Sequence, residues 1–422
     1  MKESFLHYIW KMKCFDSSNL VTFHGSPIEI INFGKLNYDA GPDFINAEIV
    51  IGNQLWVGCV EMHVNSSDWA LHHHSKDSSY QNVILHVVWS HDIEIDKLRE
   101  SNIETLVLEQ FVPKEIIFNY QKIISNPLNS IPCKSFIAKL EWDKISFWLE
   151  GLLIDRLEEK SKFILDLYAS TNGNWEEVTF KILASNFGLK VNQEAFEIWS
   201  KSFPFSVVQK NQFNATHVEA LFFGQAGFLQ NPVDDYMNNL KSVYLFLQRK
   251  YQLHPADSVL FKFSKMRPYG FPTIRLAQLS AIYSQEKNVF SKLMNFKSSD
   301  EIKLYFQKFE PNDYWKTHYI FAKESTKSSK RIAENKINNL IINVILPLRF
   351  SYEIKTDQLE TDFYINTLQE LKPETNSVVD LFFEAGFPIH SAKDSQSVIH
   401  LKKRYCDEKK CLNCAIGTEV LK

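Results

Sequence analysis

Three side chains near the N-terminus have the types and spacing of a cation site. Asp43 follows Gly41-Pro42, seventeen residues separate it from Glu61, and His63 lies two beyond Glu61. Carboxylate oxygens suit Mg²⁺ or Mn²⁺, and such ions activate water toward phosphodiesters. Imidazole is a base or ligand that changes charge near neutral pH. The run His72-His73-His74-Ser75-Lys76-Asp77 comes directly after. It is a polar surface turn, or it lends His72, His74 and Asp77 to metal or phosphate contacts. His86, inside the apolar run Val83 to Trp89, is a hydrogen-bonded core histidine or a fourth imidazole facing the same place.

A second group is sulfur. Cys406-x4-Cys411-x2-Cys414 places three thiols close together near the C-terminus. Thiolates at that density suit tetrahedral Zn²⁺ or an iron–sulfur cluster. A fourth ligand must come from elsewhere; Cys133, after Pro132, is the first choice and His400 the second.

The elements around the first group can be read from periodicity. Residues 4–13 form an amphipathic helix, with Phe5, Leu6, Ile9 and Trp10 apolar. Strands follow at 27–33, 44–51 and 54–64, then a polar stretch at 66–82 with a short helix, then a buried strand at 83–89. Pairing Ile45, Ala47, Ile49 and Ile51 with Leu55, Val57 and Cys59 requires partner numbers with an even sum, such as 106, because a one-residue slip turns every side chain over. That register implies a three-residue loop at Gly52-Asn53-Gln54. It sets Asp43 across from His63 and Ile45 across from Glu61. A two-residue loop gives the sum 105 and separates Asp43 from the pair.

From about residue 136 the pattern becomes helical. Segments at 141–169, 175–188, 191–202, 215–223, 233–251, 274–295, 299–309, 331–347, 362–371 and 376–384 each carry apolar residues at three- and four-residue spacing. A linker with three prolines, 112–135, precedes them. The expected architecture is an α/β domain over 1–135 and a large, mainly α-helical domain over 136–422.

Pro42-Asp43 followed by Glu61-Met62-His63 resembles the PD-(D/E)XK nuclease superfamily, with His in place of Lys. The helix–strand–strand–strand–helix–strand order is similar to that superfamily's restriction-endonuclease-like core. The resemblance implies that Asp43 and Glu61 hold Mg²⁺ or Mn²⁺ and that His63 orients or deprotonates water. Histidine lacks the fixed charge of lysine, so Lys76 is a candidate substitute. His7 is a candidate for the extra polar group that the first helix of such nucleases sometimes brings. The resemblance also implies a nucleic-acid substrate, DNA in the first instance. The alternative is a nuclease-fold scaffold that binds nucleic acid or protein without turnover. Some nucleases of the superfamily also hold a 4Fe–4S cluster on one distant cysteine and three clustered ones, which Cys133, Cys406, Cys411 and Cys414 resemble at a different spacing. Across most of its length the chain resembles a bacterial protein family of unknown function. That likeness rests on FLHYIW (5–10), GPDF (41–44), GCVEMH (58–63), SDW (67–69), ILHVV (84–88), FGQAG (223–227), RPYGFPTIR (267–275) and the cysteine tail.

Arg267, Tyr269 and Arg275 flank a proline-rich loop that enters a helix. They could hold a phosphate or stack a base, or pair with carboxylates. Gly224-Gln225-Ala226-Gly227 reads as a helix C-cap and tight turn. It is not a phosphate loop, because no Lys-Ser/Thr follows. Lys323 to Arg331 is a basic, serine-rich stretch, read as a solvated loop or a backbone contact.

Composition limits the class. The 422 residues carry 47 basic and 50 acidic side chains, a net charge of −3, so a nucleic-acid partner needs a local basic groove. With 33 Phe but only 13 Gly and 14 Pro, the composition argues against a many-stranded sandwich or barrel and favours helices. The N-terminus carries an acid early and has no apolar signal region, and no apolar run reaches the ~18 residues of a membrane span. A cytoplasmic chain that does not enter a membrane is expected, with thiols or metal ligands rather than disulfides.

Overall fold

A computed structural model describes residues 1–74, 77–125 and 131–421. The chain forms two compact units. The first is Met1–Ile145 with Glu384–Phe387 and Leu401–Lys422; the second is Ser146–Phe383 with Pro388–His400.

The first unit is a mixed α/β fold. Helix α1 (Glu3–Met12) buries Phe5, Leu6, Ile9 and Trp10 completely. Lys13 ends it in the left-handed conformation, its N–H returning to the Ile9 and Trp10 carbonyls. The strands are β1 (Leu20–Val21), β2 (Pro27–Asn32), β3 (Lys35–Leu36), β4 (Phe44–Ile51), β5 (Gln54–Asn65), β6 (Val83–Ser90) and β7 (Glu104–Val107). They form one sheet in the order β1-β2-β4-β5-β6-β7, with β3 also paired to β4. β1, β2, β4 and β5 are antiparallel, and β5, β6 and β7 are parallel. Helix α2 (Asp68–Leu71) connects β5 to β6, and α3 (Asp96–Glu100) connects β6 to β7. β6 is buried along Val83–Trp89, as expected of a parallel strand covered on both faces. The stretch read as a linker holds a helix, α4 (Lys114–Ile124).

The hairpin register differs from the sequence expectation. Ile51 pairs with Gln54, so the turn is the two-residue Gly52-Asn53 and the partner sum is 105 from Ala47↔Gly58 to Ile51↔Gln54. Gly52 has φ +62, which a two-residue hairpin turn demands. Leu55 and Val57, taken as apolar partners, are 54 % and 65 % exposed. A bulge at Ile45-Asn46 then shifts the register, and Phe44 pairs with Val60. Asn46 supplies the bulge with φ +60, a conformation Asn tolerates better than most residues. Ile45 lies opposite Lys35 on β3 rather than Glu61.

The second unit is helical. It continues α5 (Trp142–Ser170) and contains α6 (Trp175–Phe187), α7 (Leu189–Lys201), α8 (Phe205–Asn211), α9 (Ala215–Gln225), α10 (Asp235–Tyr251) and α11 (Pro272–Gln285), with further helices to His400. α11 is buried on all sides from Pro272 to Tyr283 and lies at the centre of a core that includes Phe180, Trp199, Phe222 and Trp315. The expected helix 274–295 is two pieces, α11 and Val289–Asn295. The expected helix 331–347 is a longer segment, Glu334–Thr356, whose middle, Ile341–Ile345, is π-helical just before Pro347. As expected, α9 ends in the 224–227 segment, with Ala226 as its C-cap and Gly227 at φ +75; Gly224 itself lies within the helix. A Cβ there would meet the Tyr244 ring at 2.1 Å, so the glycine lets α10 approach α9. Among the described residues no helix is long and apolar enough to cross a membrane.

Candidate metal centre

The β4 bulge restores what the two-residue turn would have removed. It brings Asp43 beside Glu61: the Asp43 backbone N–H donates to Glu61 Oε2 at 3.1 Å, and Asp43 Oδ2 accepts the Met62 N–H at 2.9 Å. Asp43 Oδ2 also lies 3.2 Å from His7 Nε2 on α1, and His7 Nε2 is 3.9 Å from Glu3 Oε1. Glu3, His7 and Asp43 therefore form one group of converging ligand atoms.

A second group is built on β5 and the turn after α2. His63 Nε2 lies 3.2 Å from His72 Nδ1 and 3.2 Å from His74 Nε2. Glu61 Oε1 is 3.2 Å from His74 Nε2 and 3.6 Å from His63 Nε2. Separations of this size are those between ligands of one ion at bond lengths of roughly 2.0–2.2 Å. The other nitrogen of His63, Nδ1, is 2.9 Å from His86 Nε2 on the neighbouring strand. Trp69 and Tyr80 enclose the group, Tyr80 lying against the His74 ring at 3.9 Å. Glu61, His63, His74 and His86 are buried, while His72 is exposed and opens the group to solvent.

Burial, then the Asp43 carboxylate, pushes the Glu61 carboxyl up to about 9. Burial, then the His74 and His72 rings, depresses His63 to about 3. Burial likewise lowers His74 and, with His63, takes His86 well below the ordinary range. Burial and then Asp43 raise Glu3. Without a cation the pocket disfavours ionised side chains. It keeps neutral imidazoles, the form that ligates metals.

The donor set decides which ion fits. The three imidazole nitrogens of His63, His72 and His74 are the atoms that all converge, and such a nitrogen set suits Zn²⁺ and other first-row ions better than Mg²⁺. The Glu3–His7–Asp43 group is richer in oxygen and suits Mn²⁺ or Mg²⁺.

A scan of protein-family profiles matches residues 3–377 to one described as "Protein of unknown function (DUF2851)". The chain belongs to the DUF2851 family. No curated protein and no solved structure matches this DUF2851 chain. The matched span includes every residue of both ligand groups and ends before the cysteine tail.

The sequence-derived candidates fall in several places. Asp43, Glu61, His63, His72 and His74 come together, with His7 and His86 at their edges. Lys76 lies outside the described residues. Asp77 caps the turn Ser78–Tyr80, accepting the Ser79 N–H at 2.9 Å. Arg267 and Tyr269 are exposed in the second unit, where the Tyr269 hydroxyl donates to the Ser329 carbonyl at 3.1 Å. Arg275 does not share that surface: it is 8 % exposed within α11, and its Nη1 donates to Gln278 at 2.8 Å. Cys133, Cys406, Cys411 and Cys414 all belong to the first unit, while His400 belongs to the second, 3.7 Å from Glu159. Glu3 was missed; one acid in the first turn of a helix carries no signal of its own.

Proposed function

We propose that this protein is a metal-dependent hydrolase of phosphodiester bonds in nucleic acid, DNA in the first instance, built on a nuclease-like α/β unit. One observation carries the reading: the ligand atoms of His63, His72, His74 and Glu61 converge within 3.6 Å of their neighbours, beside the Asp43 carboxylate. The order α1, β2, β4, β5, α2, β6 around them supports a restriction-endonuclease-like core.

A divalent cation held here would supply Lewis acidity toward a phosphoryl oxygen and water acidic enough to react near neutral pH. The chain's own residues have separate tasks. His63 presents Nε2 to the cation position, and His86 Nε2 accepts the Nδ1 proton, which fixes that tautomer. Glu61 contributes Oε1 while its Oε2 is held by the Asp43 N–H. Asp43 presents Oδ2, which accepts the Met62 N–H and lies 3.2 Å from His7 Nε2, to a second cation or to the attacking water. The exposed edge at His72 admits the substrate phosphate.

The test is incubation with supercoiled plasmid and Mn²⁺ or Zn²⁺, beside an Asp43→Ala control. Cleavage lost in the control supports the reading. Equal cleavage in both proteins, or none with any metal or nucleic acid, removes it.

A second reading, a nuclease-fold scaffold without turnover, is favoured by His63. Both its nitrogens are engaged, so the residue at the lysine position supplies neither a free base nor a fixed positive charge. Metal and nucleic-acid binding without cleavage would favour that reading.

A further inference from the structure

The second unit holds a cavity of about 660 Å³ lined by α5, α6, α7 and the segment Glu334–Thr356. Small-molecule sites occupy roughly 300–1,000 Å³. Ile164 and Leu167 of α5, Ile182 of α6 and Leu189, the first residue of α7, give it an apolar wall. Lys160 joins them from α5, one turn before Ile164, and Asn343 from π-helical Ile341–Ile345. A π turn and a left-handed residue other than glycine are both uncommon, and both concentrate at functional sites. Here the π turn and Leu189, at φ +53, line the same cavity.

Lys160 is a cation without a counter-ion beside it. Its Nζ donates to Asn343 Oδ1 at 2.9 Å and to the Ile342 carbonyl at 3.3 Å, and among the described residues both of its hydrogen-bond partners are neutral. Asn343 passes the contact on to Glu374, whose Oε1 accepts from its Nδ2 at 3.2 Å. Glu374 also accepts from Gln396, which takes the Arg156 Nε–H at 2.8 Å. This carboxylate therefore serves two cations, each through an intervening amide. Burial, then the Arg156 guanidinium, lowers Lys160 from 10.5 to about 7 against the weaker pull of Glu374 and Glu159. The rest of the lining does not supply the missing charge. Lys181, Lys190 and Lys201 outnumber Asp166 and Glu197, and Glu197 is already engaged by Ser185 at 2.8 Å and Gln193 at 3.2 Å.

We propose that this cavity binds a small organic carboxylate with an apolar body, its carboxylate on Lys160 Nζ and its body against Ile164, Leu167, Ile182 and Leu189. A buried charge is costly until it is paired, and a monoanion matches one ammonium group. The site lies wholly in the second unit and does not depend on the hydrolase reading.

The experiment is calorimetric titration of the full-length protein with 1-naphthoate and with octanoate, each beside its neutral amide. One molecule per chain of at least one acid, bound about tenfold or more tighter than its amide, is expected. Lys160→Met should erase the preference, and Lys160→Arg, which keeps the charge, should retain most of it. Binding of neither acid, acid and amide bound alike, or a preference unchanged in Lys160→Met overturns the inference. If Lys160→Met fails to fold, wild-type crystals soaked with the two acids decide. A carboxylate in hydrogen-bond contact with Lys160 Nζ supports the site; acid bound only elsewhere, or not at all, overturns it.

Discussion

Nδ1 of His63 and Nε2 of His86 lie 2.9 Å apart on adjacent parallel strands, a contact that occupies the side of His63 facing away from the ligand group. Two neutral imidazoles this close share one proton. If His63 donates it, its Nε2 is left with a lone pair aimed at His72, His74 and Glu61. His86→Phe keeps the volume and removes the acceptor. Zinc affinity, measured by calorimetry, should fall about 10–100-fold with the fold retained by circular dichroism.

Asn46 tests whether the bulge builds the site. At φ +60 a β-branched side chain is strained by roughly 1–2 kcal/mol or more, whereas glycine is not. Asn46→Val should lower stability by that amount in urea unfolding, and should weaken metal binding by displacing Asp43 from Glu61. Asn46→Gly should retain both properties to within a few tenths of a kcal/mol. Equal metal binding by the two variants would detach the bulge from the site.

The second unit has its own check. Gly224→Ala places a methyl carbon on the Tyr244 ring, and overpacking of this kind costs about 1–3 kcal/mol. Gly224→Ala with Tyr244→Leu should recover part of the loss. A Gly224→Ala protein as stable as the wild type would contradict the close approach of α9 and α10.

Lys336 sets a pH dependence. Its Nζ donates to the Asn186 carbonyl at 2.6 Å, and burial, then Arg275, depresses it from 10.5 to about 7. Between those two values the unfolded chain holds the proton and the native chain does not. Stability from this group therefore rises with pH across the window and is lost as pH falls toward 7. Lys336→Met should flatten the rise, so the variant's stability relative to wild type should be greatest near pH 7 and decline toward pH 10. A constant difference across that range would contradict the shift.

Much of the first unit was legible in sequence because its strands are bounded by turn residues and its first helix has a clear apolar face. β4 matched at both ends, Phe44–Ile51, and α1 to within a residue. The register was not legible. Alternation treated Leu55 and Val57 as core residues, and they are exposed. A single asparagine in the left-handed conformation then changed the parity, and sequence periodicity does not mark such a residue. Asp43, Glu61 and His63 could be chosen for their chemistry, and His72 and His74 as metal or phosphate contacts, but their convergence on His63 could not be read. Their ligand geometry comes from the tight turn after α2, where His73 has φ +59. Arg275 misled because a charged residue after a loop reads as surface, while α11 is buried from Pro272 to Tyr283, its polar residues Thr273, Arg275, Gln278 and Ser280 included.

The most direct test of the account is an anomalous difference map from crystals of the protein soaked with Zn²⁺ or Mn²⁺. A peak within about 2.3 Å of His63 Nε2, His72 Nδ1 and His74 Nε2, absent from His72→Ala/His74→Ala crystals, is the predicted result. An ordered pocket with no peak at that position, or a peak that survives in the double variant, would contradict it.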